Sequence, residues 1–188
     1  MASESFLGRQ PIIDADRNVF GYELLYRGAT DAATLAHNPD RATSSVMERV
    51  LNDWGLYQVM GDRVGLLNAS AGFVVGGRHE AMPADALILE IREPEPFDDP
   101  TIDAIRLARR DGYRFALDNV ASLADVEQSR LLPLARIVKV DLGAVDHHEI
   151  PDIIDVARRG QLLEAYDRAI ADVGGAALHD VPVGSGHG

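Results

Sequence analysis

The 188-residue sequence predicts an α/β fold built from strand–helix units, and two observations predict it. First, four short apolar runs each end on a polar residue. Leu66-Leu67 ends on Asn68, Leu87-Ile88-Leu89 on Glu90, Phe115-Ala116-Leu117 on Asp118, and Ile137-Val138 on Lys139, followed by Val140-Asp141. Second, Asn68, Glu90, Asp118 and Lys139 are spaced by 22, 28 and 21 residues, each about one strand–helix unit. Continuous apolar runs are the mark of parallel strands buried on both faces. Polar groups where such strands finish are where barrel enzymes place their chemistry.

The elements follow in order. Residues 6–13 and 19–27 read as two strands joined by the polar turn Asp14-Ala15-Asp16-Arg17-Asn18, too short for a crossover and therefore antiparallel. From about Pro39 to Met60 the pattern is helical, with Val46, Val50, Leu51 and Trp54 on one face. A strand then leads to Asn68, Gly72 to Met82 is a loop or short helix, and Leu87 to Ile91 is the next strand. A helix opens with Asp99 as N-cap and Pro100 at its first position. Ile102, Ile105 and Ala108 are its buried stripe, and Gly112 stops it. Residues 114–118 form a strand, and Ser122 with Asp125 resembles a capping box. Ile137 to Asp141 is a further strand, Pro151 to Arg159 a helix, and Gln161 to Val173 a second helix. The organisation expected is one domain over 1–173 and a flexible tail over 174–188.

That makes about six strands, the last four alternating with helical segments, where a full eight-stranded barrel takes about 250 residues. The expectation is an incomplete barrel with its first strand antiparallel and its last two strand–helix units missing. Two open edges and exposed inner apolar side chains predict a protein partner or a homo-oligomer. A net charge of −12 argues against a nucleic acid polymer as partner. No stretch reaches bilayer length, so no membrane contact is expected. The absence of cysteine fits the cytoplasm.

Gly21-Tyr22-Glu23-Leu24-Leu25-Tyr26-Arg27 resembles the signature of the EAL domains, with Leu24 in place of the usual Ala. Gly8-Arg9-Gln10-Pro11-Ile12 resembles the stretch before that signature. Asn68-Ala69-Ser70, Glu90-Ile91-Arg92-Glu93, Asp118-Asn119 and Lys139-Val140-Asp141 resemble later strand ends of the family, in the family's order and spacing. The Gln-Pro-Ile and Glu-Leu-Leu-Tyr-Arg variants most resemble the branch in which an EAL-like domain is fused to an HDOD domain. The resemblance covers roughly residues 6–160.

The resemblance implies a TIM-barrel-like fold and a site for cyclic di-GMP, which the family hydrolyses with two Mg²⁺ or Mn²⁺ ions. Glu23, Asn68, Glu90 and Asp118 would be metal ligands, being the oxygen donors that hard divalent cations take. Glu23 and Lys139 would be catalytic, Lys139 orienting water or stabilising developing negative charge. Gln10 and Arg27 would contact the nucleotide.

The departures are as informative. Asn119 stands where active members have a second Asp, and Val120-Ala121-Ser122-Leu123 replaces a glycine-rich loop. A later essential Glu and the closing strand are not recognisable. The expected function is therefore a degenerate signalling domain, catalytically inactive, that works by protein interaction and binds cyclic di-GMP at most. The alternative is an active metal-dependent phosphodiesterase yielding linear pGpG. Mg²⁺ or Mn²⁺ is the cofactor of a functional site, and a non-functional site has none.

Other features have plainer readings. Lys139 inside an apolar strand reads as a buried ion pair with Asp118. His147-His148 reads as a loop pair. Arg109-Arg110 and Arg158-Arg159 close helices, where cations favour the dipole.

Overall fold

The computed structural model describes residues 5–28, 55–92, 97–159, 164–171 and 175–182, with side chains described within 8–25, 55–92 and 97–159. Eight strands form one sheet in sequence order. They are β1 (Ser5–Ile13), β2 (Val19–Gly28), β3 (Val64–Asn68), β4 (Leu87–Arg92), β5 (Arg114–Val120), β6 (Ile137–Asp141), β7 (Glu164–Ala171) and β8 (Gly175–Pro182). The helices are α1 (Leu56–Met60), α2 (Ala71–Val75), α3 (Asp99–Arg110), α4 (Leu123–Gln128) and α5 (Ile150–Arg159).

The hairpin β1–β2 is antiparallel, as the short turn requires. Asp14 and Asn18 close that turn with Asn18 N donating to Asp14 Oδ1 at 2.8 Å. Strands β2 through β7 then pair in parallel. Gly21 allows the approach of β2 to β3, because a Cβ there would meet the Val64 carbonyl oxygen at 2.6 Å.

Period-2 alternation divides the strand side chains between two cores. Leu67, Leu89, Leu117 and Val138 face the helix side, packing with Phe73, Ile102, Ile105 and Ile153. Leu66, Ile88, Ala116 and Ile137 form a separate inner layer with Ile12, Phe20 and Val64. Burial on both faces explains the continuous apolar runs.

Local chemistry sets the helix ends. Asp98, not Asp99, caps α3: its carboxylate accepts from Thr101 N at 3.0 Å. Pro100 therefore sits at the second helical position, and Asp99 instead pairs with Arg130 at 2.6 Å. Ile102, Ile105 and Ala108 are buried as expected, and Gly112 follows with φ 97°. Ser122 and Asp125 form the capping box of α4. The segment after Asn68 contains α2 and a 3-10 turn at Arg78–Ala81. The stripe Val46, Val50, Leu51 and Trp54 lies outside the described residues.

The end of the chain corrects two expectations. Glu164–Ala171 is a strand rather than helix, lying parallel to β6 with Lys139 opposite Tyr166 and Asp141 opposite Arg168. Gly175–Pro182, expected as flexible tail, returns antiparallel to it. Pairing with an otherwise open β6 edge outweighs the helix propensity of this segment. β8 approaches β1, so the sheet curls round towards itself. Among the described residues, α5 is followed by the strands β7 and β8 and by no further strand–helix unit.

Candidate functional site

Four inner-layer residues, one on each of β3 to β6, are followed two positions later by a polar one. Leu66 is followed by Asn68, Ile88 by Glu90, Ala116 by Asp118 and Ile137 by Lys139. Two residues further along a strand is the same face, one layer nearer the C-terminal end. The sheet thus stacks a polar layer on an apolar one, and Glu23 joins it from β2.

Glu23, Glu90, Asp118 and Lys139 are each 5% exposed or less. The Lys139 ammonium lies 3.3 Å from Glu23 Oε2 and 3.0 Å from Asp118 Oδ1, and also donates to Glu90 Oε1. The expected pairing of Lys139 with Asp118 is present, with two further carboxylates that the sequence did not suggest. At about 3 Å and an effective dielectric of about 20, one such contact is worth about 5 kcal/mol before desolvation. Desolvation costs several kcal/mol per ion, so more than one partner is needed to hold an ammonium here.

Each carboxylate gives the lysine one oxygen and turns the other elsewhere. Glu23 Oε1 accepts from Asn68 Nδ2 at 3.4 Å. Asp118 Oδ2 is 4.0 Å from the guanidinium of exposed Arg92. Glu90 Oε2 is buried with no hydrogen-bond partner. Burial pushes the Glu90 carboxyl up to about 8, with Lys139 opposing the rise and Glu23 and Asp118 adding to it.

Among the described residues no three His, Cys, Asp or Glu side chains are arranged to hold a metal ion. The cation that three carboxylates surround is Lys139. The donor set still fits a hard divalent ion in kind, since Glu, Asn and Asp offer oxygens and one buried oxygen lacks a partner.

Gln10 lies on β1 directly opposite Glu23, half-buried. Arg27 lies on β2 opposite Phe6, and its side chain is outside the described residues. Asn119 is exposed with φ 66°, a left-handed conformation that Asn tolerates better than most residues. It sits at a register shift, where Leu117 to Val120 on β5 oppose Val138 to Val140 on β6. This bulge returns Val120 to the core and turns Asn119 outward beside the polar layer. His147 and His148 are an exposed loop pair, the His147 ring 3.0 Å from the Leu142 carbonyl oxygen.

Sequence reasoning missed the contact of Arg92 with Asp118. Its signal was spacing: Arg92 is two residues beyond Glu90 and opposite Asp118 in register.

No family model matches the chain. Over 166 residues it is 29% identical to the cyclic di-GMP phosphodiesterase CdgJ of Vibrio cholerae, covering 87% of this chain and 37% of that protein. Among solved structures it resembles the Bacillus subtilis YkuI protein, which has an EAL domain and was solved with cyclic di-GMP and calcium. The TM-score is 0.65 at 22% identity, covering 84% of this chain and 46% of that one. This chain has the EAL fold. A manganese and cyclic di-GMP complex of Klebsiella pneumoniae BlrP1 matches with TM-score 0.64 at 17% identity, covering 95% of the EAL-like chain and 56% of its own. The EAL-like chain thus spans about half or less of the length of these relatives. Among its described residues no helix is long and apolar enough to cross a membrane.

Proposed function

We propose that this chain is a degenerate EAL-type signalling domain of the cytoplasm, which binds cyclic di-GMP at the polar mouth of its sheet without turning it over. The observation that carries this reading is the closure of Glu23, Glu90 and Asp118 on Lys139 instead of on a common metal point. Asn119, exposed at its bulge, offers neutral amide chemistry where a bridging carboxylate would be needed. The likeness to proteins solved with cyclic di-GMP supports the choice of ligand. Gln10 and Arg27 are the proposed nucleotide contacts, and a protein partner or second copy is the proposed receiver of the signal.

The second reading is an active phosphodiesterase that opens cyclic di-GMP to linear pGpG. The partnerless oxygen of Glu90 within an oxygen donor set favours it. Glu23, Asn68, Glu90 and Asp118 would then hold Mg²⁺ or Mn²⁺. Such a cation supplies neutralisation of phosphate charge and activation of a water. Lys139 would hold the water or the developing charge, with Glu23 as its catalytic neighbour.

Calorimetric titration with cyclic di-GMP, with and without Mn²⁺, followed by product analysis, separates the two. Micromolar binding with no linear dinucleotide supports the first reading. Linear product establishes the second, and no binding under either condition overturns both.

A further inference from the structure

Arg92 is the last residue of β4. Leu89 and Ile91 face the helix side, so alternation puts Arg92 on the inner face with Ile88 and Glu90, about 7 Å beyond Glu90 along the strand. It lies opposite Asp118 in register, its guanidinium 4.0 Å from Asp118 Oδ2. Its side chain is 64% exposed, whereas that of Asp118 is 4% exposed. The mouth thus rises from an apolar layer through a buried polar one to a guanidinium in water.

The buried layer has no positive charge to spare for an anion. The carboxyl groups of Glu23, Glu90 and Asp118 share the ammonium of Lys139, which is sealed from solvent. Asp118 Oδ2, turned towards Arg92, would repel a phosphate. A phosphodiester arriving here needs a cation in front of that layer, and Arg92 stands there. Its tie to Asp118 is loose. At 4.0 Å the oxygen is beyond hydrogen-bond distance, and among the described residues no hydrogen bond engages the guanidinium. Its forked N–H donors match two oxygens of a phosphate. An ion pair this open to water adds little to stability, so Arg92 has little structural role.

Given the reading of this mouth as a cyclic di-GMP site, on which this rests, we propose that Arg92 binds a phosphodiester group of the nucleotide. It supplies the positive charge that a divalent cation would otherwise bring, so binding needs no metal ion. A guanidinium is always charged and geometrically suited to phosphate. It neutralises and orients that group but activates no water, which is the step a metal ion adds. Arginine at this position therefore matches binding without turnover.

The test is calorimetric titration of the full chain with cyclic di-GMP, in EDTA and again in Mn²⁺, for the wild type, Arg92→Gln and Arg92→Lys. Wild-type affinities should agree within about threefold between the two buffers, and Arg92→Gln should bind about tenfold or more weakly in EDTA. Arg92→Lys keeps the charge and loses the fork, so it should fall between them. Thermal unfolding of Arg92→Gln should match the wild type, which separates a lost contact from a lost fold. Should Arg92→Gln not fold, Arg92→Lys alone decides, by weakening or not weakening binding in EDTA. Unchanged binding by Arg92→Gln overturns the proposal and leaves the mouth as the nucleotide site. Wild-type binding that appears only with Mn²⁺ assigns the phosphate to a metal ion and likewise overturns it. Arg92→Lys as weak as Arg92→Gln would assign the residue to stacking on a guanine, and does so too. A wild type that binds in neither buffer overturns the reading of the mouth and the proposal together.

Discussion

Lys139 Nζ and Asp118 Oδ1 lie 3.0 Å apart, both side chains almost wholly buried, on neighbouring parallel strands. The ammonium is the internal counter-ion of Asp118 and Glu23 and hydrogen-bonds the buried carboxyl of Glu90, and that relationship sets the behaviour expected of the site.

Lys139→Met leaves the buried carboxyl groups of Glu23, Glu90 and Asp118 without their cation. Breaking a buried pair by removing one partner costs about 3–5 kcal/mol. Urea unfolding at pH 8 with EDTA should show a loss of that order, and millimolar Mn²⁺ should return much of it by binding the vacated oxygens. A variant as stable as the wild type in EDTA would mean that Lys139 does not hold the cluster together.

Glu90 makes stability depend on pH with a defined sign. Its carboxyl is near 4.5 when unfolded and about 8 when folded, so between those values the folded chain keeps a proton that the unfolded chain has released. Stability therefore falls as pH rises from 4.5 to 8, by at most about 1.4 kcal/mol per unit. Glu90→Gln should flatten that limb in chemical unfolding across the range. An unaltered slope in the variant would place the titration elsewhere.

His79 acts in the opposite direction. Burial holds its imidazole below the ordinary 6.5, and its ring stands edge-on to Tyr113 with centroids 4.7 Å apart. Below pH 6.5 the unfolded chain gains a proton that the folded chain does not, so stability falls on acidification. His79→Phe keeps the ring contact and should remove this acid limb. Denaturant midpoints measured between pH 5 and 7 check it, and a limb that persists rules out His79.

Asn119 is held by conformation. Asn119→Val should cost about 1–2 kcal/mol for a β-branched residue forced into the left-handed region, with Asn119→Gly close to neutral. Asn119→Asp keeps the conformation and adds a carboxylate beside Asp118. Mn²⁺ affinity by calorimetry should rise severalfold, and no gain would sink the reading of this mouth as a damaged metal site.

Much of this was legible in the sequence because it is written in local pattern. The apolar runs ending at Asn68, Glu90, Asp118 and Lys139 identify β3 to β6, and equivalent strand ends in a parallel sheet lie at one end. The cap of α3 was misplaced by one residue because Asp98 and Asp99 offer the same chemistry, and only the bond to Thr101 distinguishes them. β7 was illegible because Leu162, Leu163, Glu164 and Ala165 favour helix, whereas its pairing partner is β6, more than 20 residues earlier. The β5 bulge escaped notice because no glycine announces it. The full set of partners of Lys139 depends on strand stagger, which spacing along the chain does not report.

Glu23 and Lys139 touch across 116 residues of chain, which has a consequence for biogenesis. A ribosome releases Glu23, Glu90 and Asp118 before Lys139 emerges, so the nascent sheet holds mutually repelling acids until its sixth strand arrives. The lysine is then a late keystone of translation, and ribosome-bound intermediates stalled before it should resist compaction more than those stalled after it.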